Sequence, residues 1–278
     1  MAAPLSACQK LSARRGRSTV HLQSVPVVFT EAGGKSDLRP SNTLCSSTQN
    51  GDTVCLPVPR PVIKPSRFGP EFFDRSCINL ARALLGQVLT RRLPGGDELR
   101  GRIVETEAYL GGDDKASHSA SGRRTARNVA MFMAPGTMYV YQIYGVYYCL
   151  NVSSRGDGAA VLLRALEPLQ GLDSMRESRG ARRKQKTCKP LRDWELCNGP
   201  SKICQALAID KSFDRRDLTS DPDAWVEPDQ DPQASIVCAS RIGIGSSAGE
   251  WATKPLRFYL RGNRSVSVRN KSAEQKSR

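Results

Sequence analysis

Two glutamates and a tyrosine alternate along one short apolar segment of the chain. The run RIVETEAYL, residues 102–110, places Glu105, Glu107 and Tyr109 at every second position. Side chains of a β-strand alternate between its two faces, so the run predicts that all three share one face. Burial raises the pKa of a carboxyl group, and a nearby cation keeps that group ionised and able to act as a general base. An exposed strand with two solvated glutamates is the alternative, and the spacing does not distinguish the two carboxylates.

An arginine and an asparagine lie in neighbouring apolar runs. Arg164 is part of VLLRALEP, and Asn151 is part of CLNVSS. A buried arginine needs a carboxylate or phosphate partner, and a buried asparagine must find hydrogen-bond partners. An Asn, an Arg and a Glu that face one cavity would form a polar pocket within an apolar sheet. A purely structural hydrogen-bonded cluster is the alternative.

Tyrosines crowd the segment TMYVYQIYG, residues 137–145. Alternation predicts that Tyr139, Tyr141 and Ile143 share a face, while Tyr144 and Gly145 form a hairpin turn. An aromatic side chain at a hairpin tip is exposed, and one use for such a group is as a wedge in a stack of nucleic-acid bases. A tight turn that tolerates a tyrosine, flanked by ordinary cross-strand tyrosine pairs, is the alternative.

Two loop segments carry weaker signals. His118 lies in KASHSASGRR beside Arg123 and Arg124, and a lone loop histidine is more often structural than catalytic. Ser201 in NGPSKICQ is placed to cap a helix, whose N-terminus could bind a phosphate together with Lys202.

Composition limits the class of protein. The 278 residues include 42 Lys plus Arg against 27 Asp plus Glu, and the formal charge of +15 favours a polyanionic partner, nucleic acid first. A solvated basic surface is the alternative.

No apolar run approaches the roughly 20 residues that span a bilayer, so we expect no membrane association. With only His21 and His118 and no Cys-x-x-Cys pair, we expect no metal site. Nine scattered cysteines suit reduced thiols inside a cell.

The pattern of apolar residues from about Phe68 onward predicts an α+β fold. It is expected to be a single mixed domain with a curved, largely antiparallel sheet, surrounding helices and a protruding β-hairpin, because strands and helices do not alternate regularly. Predicted helices cover residues 71–85, 171–179 and 201–208. Predicted strands cover residues 87–93, 99–110, 137–144, 146–154, 159–168, 235–245 and 256–262.

The ends of the chain and one loop have different compositions. Residues 1–66 hold eight Lys or Arg against three Asp or Glu and show no sustained periodicity, which predicts a disordered basic tail. Arg14, Arg15 and Arg17 cluster among serines, as in an organelle transit peptide or a nuclear localisation signal. A disordered tail without any targeting signal is an equally good interpretation. Residues 263–278 are predicted to be a polar tail that frays, and residues 179–189 a very basic loop.

Taken together, these motifs resemble the alkyladenine (3-methyladenine) DNA glycosylase family, of the mammalian type. The resemblance rests on GRIVETEAYLG, then HS, MFMAPGTMYVYQIYGVYYCLN, GDGAAVLLRALEP and NGPSKICQAL in this order, and it covers about residues 68–262. The segment SSAGEW departs from the family pattern in residues and length. The resemblance implies that residues 67–262 are the catalytic domain of a monofunctional base-excision-repair enzyme. Such an enzyme flips alkylated or deaminated purines out of duplex DNA, namely 3-methyladenine, 7-methylguanine, hypoxanthine and ethenoadenine. It then hydrolyses the N-glycosidic bond without a cofactor and leaves an abasic site.

The resemblance also implies roles for individual residues. Glu107 matches the general base that activates water, Arg164 helps to place that water and a phosphate, and the carbonyl of Ile242 accepts from the water. Glu105 is then structural. Tyr109, His118 and Tyr141 match the walls that contact the flipped base. Asn151 matches the pocket residue that disfavours a guanine amino group. Tyr144 matches the wedge that fills the gap left in the duplex. The residues expected to contact DNA phosphates are Arg123, Thr125, Met131, Lys202 and Lys211.

The expected partner is double-stranded DNA, approached from its minor-groove side by a monomer. The composition of residues 1–66 leads us to expect a nuclear and also a mitochondrial location, with protein partners bound through this tail. A non-catalytic duplex-binding protein is the main alternative, against which Glu107 and Arg164 argue, because mere binding needs no buried carboxylate. An RNA-modifying enzyme is a third interpretation.

Overall fold

The computed structural model describes residues 67–181, 189–229 and 235–276. The predicted tail 1–66 and the basic-loop residues Arg182, Arg183, Lys184 and Lys186 lie outside the described residues. In chain order the elements are α1 (Pro70–Phe73), α2 (Cys77–Ala83), β1 (Val88–Arg92), β2 (Glu98–Tyr109), β3 (Met138–Ile143), β4 (Tyr147–Ser153), β5 (Ala160–Gln170), α3 (Leu172–Gly180), α4 (Pro200–Ala206), β6 (Ala224–Glu227), β7 (Ile236–Ala239), β8 (Arg257–Leu260) and α5 (Lys271–Lys276). Short 3-10 helices lie at Ala120–Gly122, Val129–Phe132, Asp193–Glu195, Lys211–Phe213 and Ser246–Ala252. None of these helices has the length and apolar character that a membrane span requires.

The eight described strands form one open antiparallel sheet, so the predicted α+β class is confirmed. Six strands follow the order β3-β4-β5-β2-β1-β6, and β7 joins the sheet through β8. Strand β2 pairs with β5 along one edge, whereas its other edge pairs first with β1 and then with β8. Fully buried leucines of α2 and of the following turn, including Leu80 and Leu84, pack into the core beside this strand. Strand β2 is therefore central, and its middle residues are buried on both faces.

A β-bulge interrupts the pairing of β2 with β5. Glu105 pairs with Ala165 and Thr106 pairs with Leu163, which leaves Arg164 as an extra residue on β5. A bulge adds local twist and redirects the side chains around it. Here it accompanies the approach of Arg164 to the two glutamates of β2.

Most predicted elements are confirmed, but the first helix is not continuous. Residues 71–85 were predicted as one helix, and the structure breaks them into α1 and α2 around Asp74–Ser76. The Asp74 carboxylate pairs with the guanidinium of Arg155 at 2.8 Å, and the Arg155 amide donates to the carbonyl of Arg75 at 2.9 Å. These contacts reach about 80 residues along the chain, so local periodicity could not predict the break.

Three smaller predictions also need correction. Ser201 does not cap α4, because Gly199 is the N-cap and Pro200 occupies the first turn. Strand β6 was missed, since AWVE is only four residues long and pairs with β1 to extend the sheet. The end after Gly262 does not simply fray, because Val266 is 6% exposed and packs against the core.

Candidate active site

A cavity of about 400 Å³ opens beside the middle of the sheet, between β2, β3, β5 and the loop after β7. Ten of the residues singled out in the sequence line it: Tyr109, His118, Met131, Tyr139, Tyr141, Ile143, Tyr144, Asn151, Arg164 and Ile242. The structure also adds wall residues that the sequence did not single out, among them Ala116, Arg127 and Cys149. Residues that are separated by up to 135 positions in the chain therefore meet around one opening.

Glu107 lies directly behind the cavity wall. Its side chain is fully buried, and its three polar partners all line the cavity. Oε1 accepts the amide hydrogen of Ile242 at 2.8 Å and lies 3.2 Å from Nη1 of Arg164, while Oε2 accepts the hydroxyl of Tyr109 at 2.9 Å. Burial raises the pKa of Glu107, and Arg164, the Ile242 amide and Tyr109 oppose that rise. Such a carboxylate is prepared to accept a proton.

Glu105 faces the same arginine but has a different environment. Its Oε1 accepts from Nη1 of Arg257 at 2.7 Å, and its Oε2 accepts from the amide of Ser267 at 2.7 Å. Nε of Arg164 lies 3.6 Å from Oε1. Glu105 is fully buried and is not part of the cavity wall. These contacts give Glu105 the geometry of a supporting residue that holds Arg164 and Arg257.

Three aromatic rings form one wall of the cavity. The rings of Tyr139 and Tyr141 lie 5.2 Å apart, and the His118 ring meets Tyr141 edge-on at 4.7 Å. Nδ1 of His118 and the hydroxyl of Tyr139 are hydrogen-bonded at 2.9 Å. Burial and the charge of Arg127 lower the pKa of His118, so its ring is neutral at neutral pH. An electron-rich wall of this kind attracts planar cations. Opposite on β4, Asn151 is buried, and its Nδ2 donates to the carbonyl of Tyr139 at 3.0 Å.

The tip of the β3–β4 hairpin projects an aromatic side chain into solvent. Tyr144 is 89% exposed, and Val146 next to the turn is 54% exposed. The turn has positive φ at both Tyr144 (50°) and Gly145 (72°), and the Val146 amide donates to the carbonyl of Ile143 at 3.2 Å. This is the pattern of a type I′ turn, so the predicted hairpin turn at Tyr144-Gly145 is confirmed. A bulky residue with positive φ is strained, so a tyrosine at this place is not explained by turn preference.

A basic groove of about 420 Å³ adjoins the cavity and shares His118 and Arg127 with it. Its lining also includes Lys115, Arg123 and Thr125. None of its three basic side chains forms an ion pair with any other residue that the structure describes. Cations beside a cavity whose charge is not neutralised by a carboxylate suit a polyanion.

The predicted phosphate-contacting residues do not form one cluster. Arg123 and Thr125 lie in the basic groove, and Met131 is a buried part of the cavity wall whose amide already donates to the carbonyl of Asn128. The amines of the two lysines are held by protein oxygens: Lys202 donates to Asn198 at 2.7 Å, and Lys211 donates to Val140 and Asp214, each at 2.8 Å.

Comparison with known proteins decides the class. Residues 71–264 match the family model described as methylpurine-DNA glycosylase. The chain belongs to this family. It is therefore an enzyme of the DNA glycosylase class, which hydrolyses N-glycosyl bonds, and it acts on DNA.

Named relatives agree with this family membership. A DNA-3-methyladenine glycosylase of Homo sapiens is 61% identical over 212 residues, which are 76% of this chain and 71% of the relative. One of Mus musculus is 62% identical over 75% of this chain and 63% of its own length. A putative 3-methyladenine DNA glycosylase of Clostridium perfringens is 43% identical over 72% of this chain and 98% of its own length.

The sequence analysis of this methylpurine-DNA glycosylase missed a buried ion pair behind Tyr109. Nη1 and Nη2 of Arg241 bind the two carboxylate oxygens of Asp114 at 2.6 and 2.8 Å, and both side chains are fully buried. The guanidinium lies 4.7 Å from the ring centre of Tyr109, and Arg241 directly precedes Ile242. The pair thus holds two partners of Glu107. The signal that identified Arg164, an arginine within an apolar run, is also present around Arg241 in IVCASRIGIG.

No group of three or more His, Cys, Asp or Glu side chains in the described part of this glycosylase is arranged to hold a metal ion.

Arg127 is a residue of the cavity that the sequence did not reveal. It is exposed in a loop, and its position over Tyr141 depends on tertiary structure.

Proposed function

We propose that this glycosylase removes alkylated and deaminated purines, including 3-methyladenine, 7-methylguanine, hypoxanthine and ethenoadenine, from double-stranded DNA. The observation that carries the proposal is the position of Glu107, a buried carboxylate whose three partners all line an aromatic cavity. Relatives from bacteria to mammals are named as 3-methyladenine DNA glycosylases, which supports the first of these substrates.

Access to the base requires that it leave the duplex. Extruding a nucleotide costs a few kcal/mol, and an apolar wedge inserted from the minor-groove side offsets the lost stacking. Tyr144 is the wedge in this proposal, because it is the exposed aromatic residue at the tip of a hairpin whose two strands line the cavity. The cations of the basic groove, among them Arg123, then bind phosphates together with Thr125. This binding releases counterions from the DNA.

Hydrolysis in this proposal uses one water molecule. The Glu107 carboxylate takes a proton from the water, whose oxygen forms a bond to C1′ of the deoxyribose. The N-glycosidic bond breaks, and its electron pair leaves with the base. Arg164 and the carbonyl of Ile242 orient the water. No lysine is among the described residues that line the cavity, which supports direct hydrolysis over a Schiff-base route, with an intact abasic site as the product.

The walls select the base. Tyr109, His118 and Tyr141 contact its faces and edges, and their electron-rich rings favour bases that carry positive charge. Asn151 lines the cavity, and in this proposal its amide disfavours the exocyclic amino group of guanine, which gives an undamaged base a poorer fit. The protein acts as a monomer in this proposal. Residues 1–66 direct it to the nucleus and to mitochondria and bind partner proteins.

Release of free base from a set of lesion duplexes tests the proposal. The protein is incubated with duplexes that carry one of the four lesions at the same position, and free base is measured by chromatography before and after alkaline cleavage of abasic sites. We expect base release and alkali-dependent strand cleavage for the lesions, and neither for the undamaged duplex that serves as control. Binding without release would favour the non-catalytic alternative. Trapping of a covalent enzyme–DNA adduct by borohydride would contradict direct hydrolysis.

A further inference from the structure

Arg127 lies where the cavity and the basic groove meet. Its guanidinium carbon is 5.1 Å from the ring centre of Tyr141, and one of its nitrogens is 3.4 Å from the carbonyl oxygen of Gln142. The residue is exposed and lines both openings. It forms no ion pair with the other described residues, so its charge is not neutralised by a carboxylate nearby.

A guanidinium on the Tyr141 ring resembles a cationic purine in shape and charge. Both are planar and delocalised, and both are attracted to the face of an electron-rich ring. A cationic base that approaches Tyr141 therefore meets a ring that already interacts with a cation, and it is repelled by that cation. A neutral base of the same shape meets no such repulsion.

We propose that Arg127 is a specificity-determining residue that lowers the preference of the pocket for cationic over neutral lesions. This inference rests on the proposed function. When a base enters, the guanidinium leaves the ring for the adjoining groove, where Lys115, Arg123 and Thr125 provide a surface for a phosphate. Entry of a flipped base and binding of its phosphate thus both favour the position of Arg127 in the groove, away from the Tyr141 ring.

Arg124 offers a matched control. Its guanidinium carbon also lies 5.1 Å from an aromatic ring centre, that of Phe132, and the residue is exposed. Arg124 does not line the cavity. Replacing Arg124 with glutamine removes one exposed positive charge three positions away along the chain and leaves Tyr141 unchanged.

The experiment compares wild type, Arg127→Gln and Arg124→Gln. Single-turnover release of 3-methyladenine, a cation in DNA, and of hypoxanthine, a neutral base, is measured in one duplex sequence. A pH of about 7.5 keeps His118 neutral, because it is well above the pKa of an unperturbed histidine. Spontaneous loss of base is subtracted. We expect Arg127→Gln to raise the ratio of 3-methyladenine to hypoxanthine release by about two- to fivefold. We expect Arg124→Gln to leave that ratio at its wild-type value.

Other results would overturn the inference. An unchanged ratio in Arg127→Gln, with or without a uniform loss of rate, would mean that Arg127 acts only as a general DNA contact. A lower ratio, or an equal rise in both variants, would also contradict it. These results all require that wild type releases both bases. A wild type that releases neither base would instead overturn the proposed function itself.

Discussion

The middle of β2 and the tip of the β3–β4 hairpin are built in opposite ways. In the middle of β2, Glu105 and Glu107 are fully buried, and their oxygens contact Arg164, Arg257, main-chain amides and a tyrosine hydroxyl. At the tip, Tyr144 is 89% exposed and has a strained positive φ. Burial controls the protonation of a carboxylate, whereas a wedge is useful only if its surface is free until DNA covers it. If the two regions have the proposed roles, the difference teaches that the chemical step and the distortion of DNA place opposite demands on a fold.

This contrast predicts that substitutions in the two regions have separable effects. Changes in the middle of β2 should alter the chemical step or the stability of the fold in every DNA context. Changes at the tip should alter excision according to how tightly the lesion is stacked, with little effect on stability.

Glu107→Gln should have the largest effect. An amide cannot take the proton from water, so single-turnover base release should fall by about 10²- to 10⁴-fold, while affinity for lesion DNA is largely kept. Rates of release and binding isotherms on the same duplex measure both quantities. Near-normal release by Glu107→Gln, together with a large loss in Glu105→Gln at unchanged stability, would assign the chemistry to the other carboxylate.

Glu105→Gln should mainly reduce stability. The substitution leaves Arg257, which is 2% exposed, without its charged partner, and breaking a buried pair costs about 3–5 kcal/mol of the free energy of unfolding. Urea unfolding of both glutamine variants provides the measurement. Glu107→Gln is the matched control, since it replaces a carboxylate two residues away on the same face, and the partner of that carboxylate, Arg164, lines the cavity and keeps Glu105 nearby. An equal stability of the two variants would contradict a supporting role for Glu105.

Tyr144→Ser should have a smaller effect that depends on DNA context. The cost of unstacking, a few kcal/mol, remains while its compensation is lost, so excision should fall most for lesions in stable, well-paired duplexes. Excision of one lesion opposite each of several bases measures this dependence. Val268→Ser, which shortens another exposed apolar residue, serves as control. An equal loss in all contexts, or a large drop in melting temperature, would show that Tyr144 is structural.

The acid side of the pH–rate profile should show the smallest effect. A general base works only when ionised, so release should be full above the pKa of Glu107 and fall as pH drops through it. Burial raises that pKa, and the charge of Glu105 contributes to the rise, so the loss should begin at a higher pH than for an ordinary glutamate. Glu105→Gln removes the neighbouring charge and should move the midpoint to lower pH. Hypoxanthine release by wild type and by Glu105→Gln is measured across the acidic range. A midpoint that stays in place or moves to higher pH in Glu105→Gln would contradict this account.

Much of the site could be predicted from short-range patterns. Strand alternation places Glu105 and Glu107 on one face, and both contact Arg164 in the structure. The pair Tyr144-Gly145 identified the hairpin turn because few residues other than glycine adopt positive φ easily. The α+β class followed from the irregular order of strands and helices.

The remaining features depend on contacts between distant parts of the chain. The bulge at Arg164 appears only when β2 and β5 are in register. The pair Asp114–Arg241 joins residues that are 127 positions apart, and the break after α1 depends on Arg155. Periodicity reports the environment of a segment and not the identity of its partner, so none of these could be read from local sequence.

The edge of β2 that carries both glutamates is completed by residues near the end of the chain. Glu105 pairs with Tyr259 and Glu107 with Arg257, and the amide of Ser267 binds the Glu105 carboxylate. During synthesis on the ribosome, these partners emerge more than 150 residues after the strand that needs them. A nascent or prematurely terminated polypeptide that ends before residue 257 therefore lacks the neighbouring strand that encloses Glu105 and Glu107. Polypeptides that end before β8 should consequently lack excision activity, because nothing pairs with this edge of β2.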